Sequence, residues 1–121
     1  MRHVVNFSPK FAPLVESSAK RQTIRKLRKR PIKPGDTLRL YTGMRTKACR
    51  LLGEAVCADV ASVSIYDELH GLRLRGCIVD TREEFAAADG FASYAEMLAW
   101  FERTHGLPFA GVVIRWSEIR R

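Results

Sequence analysis

Acidic residues are nearly missing from the stretch Lys20 to Arg50. Asp36 is its single acid, set against twelve lysines and arginines, a local balance of +11. From Leu51 to Ala110 the sign reverses, with four basic and ten acidic residues. The whole 121-residue chain carries a formal charge of +8 and a pI near 9.9. A run of mixed charge is usually a solvated face. A run of one sign repels itself unless a polyanion neutralises it, so this stretch points to a phosphate-bearing partner.

Other absences narrow the class. The three cysteines, Cys49, Cys57 and Cys77, are odd in number and show no C-x-x-C spacing. That argues against a disulfide framework and a zinc site, and the cysteines read as small apolar fillers. His3, His70 and His105 lack metal-ligand spacing, so no metal or other cofactor is expected. There is no run of about eighteen apolar residues to span a membrane. No basic amphipathic helix with aromatic anchors offers itself to a membrane surface either. Met1–Phe7 lacks the long apolar region of a signal peptide, and a cytoplasmic location is expected. No internal repeat or low-complexity segment is visible.

What is present suits one domain over residues 1–121, with an apolar share of 46% to build its core. Val4–Phe7 predicts a first strand. Phe11–Ser18 suits a helix capped by Ser8, with Pro9 first and Pro13 fifth in it. Arg21–Arg25 predicts a short strand, and Lys33-Pro34-Gly35-Asp36 a turn. Thr37–Thr42 alternates, with Leu38 and Leu40 inward and Arg39 and Tyr41 outward. Cys49–Cys57 reads as a strand with a bulge at Gly53, and Val60–Tyr66 as a separate strand. Leu72–Arg75 and Cys77–Val79 add one or two short strands. Thr81 with Glu84, and Ser93 with Glu96, fit capping boxes for two helices parted by Asp89-Gly90-Phe91. The second helix has Tyr94, Met97, Leu98 and Phe101 at helical spacing and ends at His105-Gly106. Phe109–Trp116 is the last strand. The expected class is α+β: a small curved sheet or β-barrel of five to seven strands with two or three flanking helices.

Chemistry and charge coincide at Ser18–Arg25. Lys20 lies just before the strand, and Thr23 and Arg25 share one of its faces. Lys20 is a candidate phosphate contact or general base. As a base it needs a pKa about three units below the free value, roughly 4 kcal/mol. Burial and the like charges of Arg21, Arg25 and Lys26 push that way. The plainer alternative is an exposed lysine on a basic strand. Thr23 is a candidate nucleophile, or an ordinary β-branched strand residue. Asp89 is a candidate proton donor to a leaving amine or acceptor for the amino group of cytosine. It also reads as a turn residue before glycine. Arg25 can clamp a phosphate or pair with Asp89. Arg21, Lys26, Arg28, Lys29, Arg30, Lys33, Arg45 and Lys47 are candidates to track a nucleic-acid backbone. Tyr41 can offer its ring to a base, a contact of roughly 1–3 kcal/mol. Trp100 and Trp116 are assigned to the core or its margin.

Three segments together resemble the ASCH domain family: Ala19-Lys20-Arg21-Gln22-Thr23-Ile24-Arg25, then Lys33-Pro34-Gly35-Asp36-Thr37-Leu38, then Asp89-Gly90-Phe91 before an aromatic-rich helix. The resemblance runs from Phe7 to Trp116. It implies a PUA-like β-barrel with helices at its side and a cleft for RNA or a nucleotide. Some family members resemble RNA-binding modules, others hydrolyse the amide of N4-acetylcytidine, and some have been described as ribonucleases. For the hydrolases the resemblance implies Lys20, Thr23 and Asp89 as the catalytic residues. Asp89 stands where they carry a glutamate and is one methylene shorter. The loop Lys26–Lys33 is longer than in the smallest hydrolases, which favours a polymeric ligand. The expected function is RNA or nucleotide binding, with DNA not excluded by charge. Amidohydrolase and ribonuclease activities stand beside it as alternatives.

Overall fold

The computed structural model describes residues 1–120. In chain order the elements are β1 (Arg2–Phe7), α1 (Ala12–Glu16), β2 (Gln22–Arg25), β3 (Thr37–Thr42), β4 (Arg50–Ile65), β5 (Leu72–Leu74), β6 (Cys77–Ile78), α2 (Arg82–Ala88), α3 (Tyr94–Thr104) and β7 (Phe109–Trp116). This is an α+β arrangement built on one mixed seven-stranded sheet.

The sheet hangs on β4, which is long enough to serve two sets of partners. Its first half pairs antiparallel with β3, and its second half pairs with β7 and β5. The two strands expected at Cys49–Cys57 and Val60–Tyr66 are therefore one. A register shift between Cys57 and Asp59 bends the strand where the sequence reads as a break. The bulge near Gly53 is present: Leu40 faces Gly53 while Tyr41 faces Leu51, so Leu52 is the extra residue. Gly53 has φ 154°, and a Cβ there would lie 2.3 Å from Ile119 Cγ1. Only glycine lets the C-terminal segment settle on this bulge and form its bridge between Glu54 and Arg120.

β1 runs parallel to β3, and β2 runs antiparallel to β7. β1 and β2 do not pair, so the sheet is not closed and the expected barrel is incomplete. Side chains cross the open seam instead. Arg25 Nη2 donates to the Asn6 carbonyl at 2.7 Å, and Arg28 Nη2 donates to the Val4 carbonyl at 2.9 Å. Two guanidinium groups thus occupy edge carbonyls that a strand ladder would otherwise fill.

The core gathers Val5, Leu38, Leu40, Ile65, Leu72, Met97, Phe101 and Val113 between the sheet and α3. Along α3, Tyr94, Met97, Leu98 and Phe101 are the buried face, as their spacing predicts. Ser93 caps that helix by accepting from the Glu96 N–H at 3.2 Å. Thr81 precedes α2 but makes no side-chain cap. Its ψ of 59° is not the extended geometry from which a capping hydroxyl reaches the first turn. α1 begins later than its sequence suggests, after Phe11, which moves Pro13 into the first turn where no main-chain donor is missed. Cys57 is buried, but Cys49 and Cys77 are exposed in a loop and on a short edge strand, so they fill no core space. Among the described residues no helix is long and apolar enough to cross a membrane.

Candidate functional site

A hollow of about 390 Å³ opens at the seam between β1 and β2. Its floor is Thr23, Ile24 and Arg25 of β2 with Lys20, two residues ahead of the strand. The end of α2 brings in Asp89, and α3 brings in Trp100, Phe101, Thr104 and His105. β1 and the turn after it supply Asn6, Phe7, Ser8 and Phe11.

Local structure explains why these side chains meet. β2 is covered on both faces, so Gln22, Thr23 and Ile24 are all buried in succession. Asp89 caps the C-terminus of α2, and Gly90 follows in a left-handed conformation with φ 92°. A Cβ on Gly90 would meet Lys20 Cδ and Phe11 Cδ1 at 3.0 Å. Glycine is what lets the Lys20 side chain pass beneath the turn and reach Asp89.

Lys20 and Asp89 form a buried ion pair, Nζ to Oδ1 at 3.5 Å, and the lysine is only 2% exposed. Lys20 Nζ also donates to the Asp89 main-chain carbonyl. Its ammonium faces the rings of Phe11 and Phe7, at 4.9 and 5.9 Å from their centroids. Burial works against both charges. It lowers the Lys20 pKa to about 8, with the attraction of Asp89 opposing the fall. It raises Asp89 above the usual carboxylate range, with Lys20 opposing that rise. Gln22 Nε2 donates to the same oxygen, Asp89 Oδ1, at 3.3 Å.

Thr23 lies in the same wall, but its partner is Arg25. Arg25 Nε donates to Thr23 Oγ1 at 3.0 Å, and its guanidinium lies 5.0 Å from the Phe7 ring centroid. Burial and the charge of Arg28 lower the Arg25 pKa to about 10, so it stays charged at neutral pH. No hydrogen bond joins Lys20 to Thr23 among the described residues.

The opposite wall is aromatic. Phe11, Phe91 and Trp100 meet edge to face or tilted, with centroids 5.3 to 6.4 Å apart. His105 stands at the rim, 5.8 Å from Trp100, and burial with the charges of Lys26 and Arg25 lowers its pKa. A neutral imidazole is therefore favoured there.

The structure brings Lys20, Thr23, Asp89, Arg25 and Lys26 together around this hollow. The other basic candidates lie outside it. Arg28 is turned to the Val4 carbonyl, while Lys29, Arg30 and Lys33 are exposed along the β2–β3 loop. Arg45 and Lys47 are exposed on the β3–β4 loop. That loop is tied to the seam, because the Met44 N–H donates to Asn6 Oδ1 at 3.1 Å. Tyr41 does not line the hollow, and Arg39 lies over its ring at 5.7 Å. Arg21 faces a different hollow. Sequence reading missed Gln22, Phe7, Phe11, Phe91, Trp100 and His105 as site residues, Trp100 having been assigned to the core or its margin. The only local signal for Phe91 was its place beside Asp89-Gly90, and Gln22 carried none.

No family model matches the chain, and no curated protein matches it in sequence. Two solved structures match it in fold. They are crystal structures of ASCH from Zymomonas mobilis, one of them a point mutant of that protein. Each has a TM-score of 0.61 and 15% identity, and covers 98% of this chain and 68% (69% for the mutant) of its own. The α+β fold is thus shared with the ASCH protein of Zymomonas mobilis. At that identity the likeness is one of fold.

Proposed function

We propose that this chain is an ASCH-domain RNA-binding module that holds one unstacked base in the seam hollow while its basic loops grip the flanking backbone. The hollow itself carries the reading. It has nucleotide size, an aromatic wall of Phe11, Phe91 and Trp100, and a polar wall of Lys20, Thr23, Arg25 and Asp89. Single-stranded RNA is typically read by stacking splayed bases on rings and hydrogen-bonding their edges. Asp89 can accept from an exocyclic amino group, and Arg25 and Lys26 favour an anionic backbone. The exposed cations of the β2–β3 and β3–β4 loops extend that positive surface away from the rim. The test is anisotropy of a short labelled single-stranded RNA against salt. Affinity should fall with a logarithmic slope of about −0.7 per phosphate contacted. Absence of binding at low salt overturns the reading.

A second reading is favoured by the dehydrated amine of Lys20. In it, neutral Lys20 takes the Thr23 hydroxyl proton as Thr23 Oγ1 attacks the acyl carbon of N4-acetylcytidine. Asp89 in its protonated form gives its proton to the departing N4, and water then hydrolyses the threonyl ester. Arg25 Nε, already on Thr23 Oγ1, would hold that hydroxyl in place and favour the loss of its proton to Lys20. Incubation with N4-acetylcytidine, followed by chromatography for cytidine, tests it. Turnover that survives Lys20→Ala rejects the assignment. The same incubation with an end-labelled RNA separates a ribonuclease from both.

A further inference from the structure

Gln22 and Arg115 do not line the seam hollow, yet together they reach its carboxylate. They are register partners in the β2–β7 ladder, so their side chains leave the same face of the sheet. Gln22 is 3% exposed, and Arg115 is half-buried. Arg115 Nε donates to Gln22 Oε1 at 3.2 Å, and Gln22 Nε2 donates to Asp89 Oδ1 at 3.3 Å. Chemistry fixes the direction of this relay. A guanidinium nitrogen only donates, so the amide must turn its oxygen to Arg115 and its NH2 to Asp89. With the amide reversed, its oxygen would face the carboxylate, and only a protonated Asp89 would fit. Oδ1 is doubly engaged, since Lys20 Nζ lies 3.5 Å from it. Among the described residues nothing donates to Oδ2. That oxygen is not sealed either, because the buried side-chain atoms without a partner are on Arg39, Tyr94 and Trp116. Asp89 lines the hollow, so Oδ2 is the oxygen left for a ligand.

We propose that Arg115 and Gln22 are positioning residues that hold Asp89 as a hydrogen-bond acceptor, so that the seam hollow selects a base with an exocyclic amino group over one with a carbonyl there. Cytosine and uracil have nearly the same shape. Cytosine offers Oδ2 an N–H, whereas uracil sets one acceptor against another. A buried acceptor left without its donor weakens binding roughly ten-fold. The base selection rests on the proposed base pocket, whereas the hold on Asp89 does not.

Two measurements on the full chain test it. Carbon-13 NMR follows the Asp89 carboxyl through a pH titration, with Asp89→Asn to assign the signal. The charged groups facing that carboxyl are Lys20 and Arg25, and both stay in every variant. Arg115→Met frees the amide to reverse, and Gln22→Met removes its N–H. Each should move the Asp89 titration to higher pH, because each withdraws a donor that favours the charged form. Arg115→Lys can still donate to Gln22 and should keep the parent titration. Anisotropy then compares five-nucleotide RNAs, all cytidine and all uridine. The parent should prefer cytidine by roughly ten-fold. That preference should fall toward equality in both Met variants and persist in Arg115→Lys. The charge lost with Arg115 weakens both RNAs alike and cancels in the ratio. Should Gln22→Met not fold, Arg115→Met, at a half-buried side chain, carries both measurements. An Asp89 titration unmoved by the Met variants overturns the positioning roles. Equal binding of the two RNAs by the parent, or a preference the variants leave intact, overturns the selection. If the parent binds neither RNA, the base-pocket reading fails, and the Asp89 titration still decides the hold on the carboxylate.

Discussion

Lys20 and Lys29 bear the same charge on either side of one short strand, yet they sit in different media. Lys20 is buried with a carboxylate, two phenylalanine rings and a main-chain carbonyl as its surroundings. Lys29 is exposed on the β2–β3 loop. In the pocket a charge is stripped of water, so its protonation, its partner and its geometry are all specified. On the loop a charge stays hydrated, and it acts by adding to a field that salt can screen. One region is suited to choosing a ligand, and the other to attracting it.

The largest effects should come from breaking the buried pair. Lys20→Ala or Asp89→Ala alone leaves a buried group uncompensated and should cost about 3–5 kcal/mol of stability in urea titration. The double replacement Lys20→Met with Asp89→Leu should cost less than either single change. A single-site cost within the ±0.5 kcal/mol or so typical of surface positions would mean that the pocket is as wet as the loop.

Protonation separates the two regions next. Lys20 titrates near 8 in the folded chain against an ordinary 10.5. Between those values the unfolded state binds more protons, so the Lys20 contribution makes stability rise from about pH 8 to 10.5. Urea midpoints across that window should show the rise in the parent protein and in Lys29→Met, and should show less of it in Lys20→Met. Asp89→Asn removes the attraction that holds the Lys20 value up. The lysine signal in a carbon-13 NMR titration should then move below 8. No movement would break the claim that the pair is electrostatically coupled.

The smallest effects concern RNA. Trp100→Ala should cost roughly 1–3 kcal/mol of affinity while leaving the salt slope unchanged, because a stacked base releases no counterions. Lys29→Ala should cost less and lower the magnitude of the slope by about 0.7. If Trp100→Ala changes the slope and Lys29→Ala does not, the roles of wall and loop are exchanged.

Much of the fold could be read from pattern. Thr37–Thr42 alternates apolar and polar residues, and its buried positions are those the period of two selects. The apolar stripe of α3 follows in the same way from a period of 3.6. β4 could not be read as one strand, because a bulge looks like an ending when only the chain is in view. Ser93 and Thr81 start the same motif, but only Ser93 has the extended backbone that makes its hydroxyl a cap. The site divides similarly. Lys20, Thr23 and Asp89 were nameable by residue type and resemblance, while Gln22 was not, since a glutamine in a strand gives no sign of being covered on both faces.

The acid-poor stretch from Lys20 to Arg50 was the sequence's own contribution, because net charge is a sum that no fold can alter. The residue types available for chemistry and the periods of the main elements were fixed at the same level. Only the tertiary structure decided how that positive stretch is divided. It buries Lys20 against Asp89, turns Arg25 and Arg28 across an unpaired seam, leaves the loops hydrated, and sets Arg21 beside Arg115 in a hollow of its own. The reason is physical. Whether a charge is paired, solvated or stripped of water depends on which distant segments pack around it. Asp89 and Arg115 reach Lys20 and Gln22 through α2 and β7, from far along the chain.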